Sequence, residues 1–167
     1  MSKAILWISA IAIILIGAIY LLKPAPSPMS ESQIAGPSLT FSPNKLSLAP
    51  GKQTTIQVSF DPAGLPASAL TLSLSFDPSL LKVISLKGDK LFSNVLSATK
   101  LGSGTATLSL ATPPDSQGVT QAGTVATLVI ESLSIAGSTL TFGADTMAVS
   151  ISQDGNILQN MGQLTIN

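Results

Sequence analysis

Beyond residue 37, apolar and polar positions alternate with a period of two. Ile56, Val58 and Phe60 alternate with Gln57 and Ser59, and Leu70, Leu72, Leu74 and Phe76 with Thr71, Ser73 and Ser75. Ala106, Leu108 and Leu110 alternate with Thr105, Thr107 and Ser109; Leu140 and Phe142 flank Thr141, and Leu164 and Ile166 flank Thr165. Each run reads as a half-buried strand with one wet face. Val125 to Leu133, VATLVIESL, is more continuously apolar and reads as a central strand. The runs recur about every 10 to 15 residues between Gly, Pro, Asn and Asp, and none carries a helical period. The pattern predicts an all-β sandwich of about nine strands over residues 38–167, large enough to bury a core without disulfides or metals.

The N-terminal pattern is of another kind. Ala4 to Leu22, AILWISAIAIILIGAIYLL, is uncharged and long enough to cross a bilayer as a helix. Its isoleucines and leucines favour insertion by about 5 kcal/mol in total. Trp7 and Tyr20 lie near its two ends, where amphipathic rings favour the headgroup region. A core helix would carry a polar stripe, and none is seen. A cleaved signal peptide has a shorter apolar run and a small-residue cleavage site, whereas this run ends in Lys23-Pro24-Ala25-Pro26. The expectation is a single-pass membrane anchor with the N-terminus inside and the β domain outside the cytoplasm. Secretion after signal cleavage is the alternative. Residues 1–3 form a short tail. Residues 23–37, KPAPSPMSESQIAGP, read as a linker, extended where Pro24, Pro26 and Pro28 alternate with small residues.

Composition narrows the chemistry. Of 167 residues only 10% are charged, and the formal net charge is zero. There is no arginine, and the eight lysines are scattered, so nucleic acid is not an expected partner. Without cysteine there is no disulfide framework, thiolate nucleophile or zinc–sulfur site. Without histidine there is no general base poised near neutral pH and no Ser-His-Asp triad. The expectation is a chain with no catalytic residue, no metal and no cofactor. The one Trp and the one Tyr both lie in the apolar run, which disfavours a sugar site built on stacked rings.

The tetrapeptide SFDP closes two of the alternating runs, at Ser59–Pro62 and Ser75–Pro78. In each copy Phe has inward parity, Asp accepts a hydrogen bond from a backbone N–H two residues on, and Pro ends strand pairing. The pair thus marks two strands leaving one core at corners, not a ligand loop.

The second copy lies in LTLSLSFDPSLLKVISLKGDKLF, Leu70 to Phe92, which resembles the signature stretch of cohesin modules. Upstream, LSLAPGKQTTIQVSF is similar to their opening; downstream, GTATLSLAT and GTVATLVIESL are similar to two later strands, and GSTLTFG and GQLTIN to their end. The resemblance covers nearly all of residues 38–167. It implies a two-sheet, jelly-roll-like sandwich of nine strands and protein–protein assembly or adhesion at a cell surface, with a dockerin-like or other surface protein as partner. The fold is shared with carbohydrate-binding modules, so a polysaccharide or cell-wall ligand is the alternative. The resemblance also implies recognition loops, such as Ser93–Lys100 and Pro113–Gln121, where no family pattern is matched.

If two of the strands pair as in that family, Thr71, Ser73 and Ser75 lie beside Thr105, Thr107 and Ser109 and form a flat, neutral, hydrogen-bonding surface. These six are the candidate partner-binding residues. Asp154-Gly155-Asn156 offers only two calcium ligands with no later Glu, so it reads as a hairpin turn. Glu131 has no evident carboxylate partner and is expected on a polar face or at an edge.

Overall fold

A computed structural model describes residues 36–167. The run Ala4–Leu22 expected to cross a membrane, the tail before it and nearly all of the linker lie outside the described residues. Among the described residues, no helix is long and apolar enough to cross a membrane.

Twelve strands make two packed sheets. In chain order they are β1 (Ser38–Ser42), β2 (Lys45–Leu46), β3 (Gln53–Asp61), β4 (Ala67–Phe76), β5 (Leu81–Gly88) and β6 (Asn94–Leu101), then β7 (Thr105–Ala111), β8 (Gly123–Ser132), β9 (Ser138–Phe142), β10 (Met147–Ser150), β11 (Asn160–Met161) and β12 (Gln163–Ile166). One sheet has the order β11-β1-β3-β8-β5. The other runs β2-β12-β9-β4-β7-β6, with β10 following β9 along the same edge of β4. The all-β sandwich is as the alternation predicts. The strand count is higher than nine for a physical reason. Three strands are too short to show a period, β2 and β11 with two residues each and β10 with four. β2 and β11 arise where the terminal segments change sheet. The chain leaves β1 for β2 through a cis Ser42–Pro43 bond. It leaves β11 for β12 at Gly162, whose N–H donates to Leu39 O at 2.8 Å.

The inward positions are those of the alternating pattern. Ile56, Val58 and Phe60 of β3, Leu70, Leu72 and Leu74 of β4, and Ala106, Leu108 and Leu110 of β7 are all buried. β8 lies between β3 and β5, as its apolar run predicts, with Leu128 and Ile130 inward and Thr127, Val129 and Glu131 half-buried on the outer side. Phe41 of β1 stacks on Phe142 of β9, ring centroids 4.4 Å apart, and so ties one sheet to the other. Burial of each such aliphatic or aromatic side chain stabilises the fold by about 1.5–3 kcal/mol.

Both SFDP corners close as the sequence predicts. Asp61 Oδ1 accepts from Ala63 N at 2.8 Å. Asp77 Oδ1 accepts from Ser79 N at 2.8 Å and from the Ser79 hydroxyl at 2.6 Å. The Ser79 hydroxyl first, and its N–H second, hold the Asp77 carboxyl below its ordinary value. Phe60 is fully buried, while Phe76 sits half-buried at the rim.

The Asp154–Asn156 turn brings the chain back along β10, but a side chain does part of the pairing. Asn156 Oδ1 accepts from Ala148 N at 3.0 Å and Leu158 N at 3.1 Å, and its Nδ2 donates to Thr146 O at 3.2 Å. Ile157 N then donates to Ala148 O. The amide thus stands in for a strand residue on the otherwise open side of β10.

Candidate functional site

The outer surface of β4, β7, β6 and β10 is one flat face arranged in rows. Because Leu70, Leu72 and Leu74 point into the core, the residues between them point out. The register across β4 and β7 sets Thr71 opposite Ser109, Ser73 opposite Thr107, and Ser75 opposite Thr105. All six residues expected to share a surface are therefore neighbours, and the hydroxyls of Thr71 and Ser109 stand 3.1 Å apart.

The pairing of the flanking strands extends these rows. Met147 pairs with Thr71, and Ser97 pairs with Ser109. Lys100 pairs with Thr107, and Thr141 with Ser75. A further row toward one end runs Val149, Ala69, Ala111 and Asn94. The face therefore grades from small apolar side chains at one end to hydroxyls at the other. Lys100 is the only charged residue in these rows. Exposed Leu96, 66% accessible, lies at the β6 margin, and exposed Ile151 follows β10. At about 4.8 Å between strands and 6.7 Å between rows, these fourteen positions cover roughly 450 Å². A standard interface takes about 800 Å² per partner, so an occupant would extend onto these apolar margins.

Ser73 differs from its neighbours. It is only 7% exposed, because the turn between β9 and β10 lies against it. Gly143 N donates to Ser73 O at 2.7 Å. The Thr146 hydroxyl accepts from Ser73 N at 3.1 Å and donates to Ser73 O at 2.8 Å. A cap of Gly143 and Thr146 thus replaces a strand where β9 stops and β10 has not begun. Ser73 shares its neighbours' outward parity but is covered by that turn, and the other five residues are half-buried or exposed.

Recognition segments were expected at 93–100 and 113–121. The first is no loop: Asn94–Leu101 is β6, an edge strand. Its pairing with β7 slips between Val95 and Ser97 and again between Ser97 and Lys100, which erases the alternation a sequence reading needs. The second is a loop, held near its end by a bridge between Ala67 and Val119. Lys100, Leu96 and Met147 were missed from the candidate face for the same cause, since β10 is also too short to show a period.

Other chemistry is sparse. Glu131 lies outward on β8, where its carboxylate accepts from Gln53 Nε2 at 3.1 Å and Lys82 stands opposite in register. Among the described residues, no group of three or more His, Cys, Asp or Glu gathers to hold a metal.

Comparison with known proteins agrees with this architecture. The family model described as Cohesin domain matches residues 39–167. No curated protein matches the sequence. Among solved structures, the cohesin CaCohA2 from Clostridium acetobutylicum is 17% identical with a TM-score of 0.62, over 79% of this chain and 90% of that one. A chain of a type I cohesin–dockerin complex from Clostridium thermocellum is 13% identical with a TM-score of 0.61, over 79% and 98%. A non-cellulosomal cohesin from the archaeon Archaeoglobus fulgidus is 16% identical with a TM-score of 0.62, over 80% and 92%. At such identities the structures speak for the fold, and the family model for the lineage. Together they make this chain a member of the cohesin domain family.

Proposed function

We propose that residues 38–167 form a protein-docking module whose partner, a dockerin-like domain, lies on the β4–β7 face. The observation that carries this reading is the paired register of Thr71, Ser75, Thr105, Thr107 and Ser109, which makes a flat hydroxyl surface with apolar margins. Support comes from relatives of the same fold that were solved as complexes with dockerins. A face with one charge binds through shape, apolar contact and neutral hydrogen bonds, so its affinity changes little with salt. The work done is assembly, not catalysis. The apolar run Ala4–Leu22 would hold the module at the cell membrane, with residues 23–37 as its stalk on the outer side.

The test is binding of the full chain to dockerin-bearing proteins and, in parallel, to insoluble glycans. Saturable capture of a dockerin, weakened about tenfold or more by Thr107→Arg with thermal unfolding unchanged, is the expected result. Retention on glycan reversed by free sugar, with no dockerin captured, would replace this reading by a carbohydrate-binding one. Recovery of the full chain from the soluble cytosol would remove the anchor from the proposal.

A further inference from the structure

The two long sides of the sandwich are built differently. One is closed by the terminal segments that pass between the sheets, β1 to β2 and β11 to β12. On the other side β5 ends one sheet and β6 ends the other. The Thr99 hydroxyl, donating to Leu86 O at 2.5 Å, ties these two edges near mid-length. A groove opens on each side of the tie. One, about 560 Å³, is lined by Phe76, Leu81, Leu101 and Leu133. The other, about 550 Å³, is floored by Phe92, Val95 and Leu110. Gly88 keeps the second open to its floor, since a Cβ there would stand 2.7 Å from Leu110 Cδ2. Val95 and Leu101 remain 60% and 48% exposed in this seam.

Charge is concentrated along the same line. Lys82 and Lys87 lie on β5, Lys90 just beyond it and Lys100 on β6, four of the six lysines among residues 36–167. Three carboxylates are near and keep their charge, Glu131 opposite Lys82 and Asp89 within the second groove, so the line is positive by one, with Lys87 and Lys90 outnumbering Asp89 at that groove. Asp77 accepts from Ser79, Asp89 Oδ1 accepts from Lys90 N at 2.6 Å, and Glu131 accepts from Gln53 one strand inward. Lysines on edge strands blunt unwanted pairing. That role alone does not call for two grooves with exposed aliphatic side chains between the lysines.

We propose that the β5–β6 seam is a second docking site, which takes an extended acidic segment of a partner protein. Two apolar side chains of the segment enter the two grooves, and its carboxylates face the lysine rim. The grooves are centred about five residues apart along β5, or roughly 16 Å. Side chains at i and i+4 of an extended segment share a face and stand about 13 Å apart, within about 3 Å of that separation. The grooves are separate from the hydroxyl face, and Lys100, which pairs with Thr107 on that face, borders both.

The test uses the full chain and fluorescein-labelled acetyl-Glu-Ser-Leu-Ser-Glu-Ser-Leu-Ser-Glu-amide, whose Leu and Glu side chains share one face when extended, read by fluorescence anisotropy. A matched peptide carries Lys in place of each Glu. The acidic peptide is expected to bind saturably and at least about tenfold tighter than its lysine counterpart. The double variant Lys87→Glu/Lys90→Glu should reverse that preference, and Leu101→Ser should weaken binding of the acidic peptide about fivefold. Both lysines are exposed, and unchanged thermal unfolding checks that the reversal variant folds. Absence of saturation at millimolar peptide, equal binding of the two peptides, or indifference to charge reversal overturns the proposal. Loss of peptide binding in Thr71→Arg, two strands from β6 and away from Lys100, also overturns it, by moving the peptide to the hydroxyl face. Unchanged peptide binding in that variant supports it, whatever becomes of dockerin capture.

Discussion

Thr146 is a buried hydroxyl with two jobs, and its replacement by valine isolates them. The side chain is 1% exposed, and its oxygen both accepts from Ser73 N and donates to Ser73 O. Valine keeps the shape and removes the hydroxyl. Ser73 O retains Gly143 N as a donor, so the carbonyl stays satisfied. The Ser73 N–H does not, and a buried donor without a partner costs about 1–3 kcal/mol. Adding the lost bond to the carbonyl, about 0.5–1 kcal/mol, places Thr146→Val about 1.5–4 kcal/mol less stable. For a domain of this size that is a fall in Tm of roughly 5–15 °C. Thr146→Ser keeps the hydroxyl and loses one methyl, about 1 kcal/mol, so valine must be the worse of the two. The only Trp and the only Tyr lie outside residues 36–167, so unfolding is best followed by far-ultraviolet circular dichroism. Hydrogen exchange at the Ser73 amide gives the local readout, with faster exchange expected in the valine variant alone. If Thr146→Val is within about 0.5 kcal/mol of the wild type, or more stable than Thr146→Ser, the Gly143–Thr146 cap does not act as a strand substitute.

Two further expectations concern other local devices. The Asp77 carboxyl is depressed by Ser79, so its contribution is present above the unfolded value near 3.8 and disappears as pH falls through the lower folded value. Ser79→Ala should therefore be destabilised relative to wild type at neutral pH and converge with it in acid unfolding curves once pH has fallen through the lowered Asp77 value; a gap constant with pH would show that the carboxylate is not involved. Asn156→Ala removes partners from Ala148 N, Leu158 N and Thr146 O, and should cost about 2 kcal/mol with faster exchange at the buried Ala148 amide; no change in that exchange rate would mean that Ile157 alone seals the edge of β10.

Alternation along the chain was sufficient for the sandwich, because a strand half in water must repeat every two residues. The inward sets of β3, β4 and β7, the central place of β8, and the two Asx corners at Asp61 and Asp77 are all legible from neighbouring residues. So is the hydroxyl set of β4 and β7, since regular strands keep their parity. Their partnership across the face needed the register, which no single strand contains. Tertiary structure alone decided the rest. β6 slips twice against β7, and β10 is four residues long, so neither carries a readable period, yet they bring Lys100, Leu96 and Met147 to the margins of the face. Ser73 looks like its neighbours in sequence but is buried by a turn some 70 residues later. The open seam between β5 and β6 follows from which strands end each sheet. Local chemistry can specify how a segment is wetted; which segments share an edge depends on contacts between residues far apart in the chain, and the groove between two edges belongs to neither.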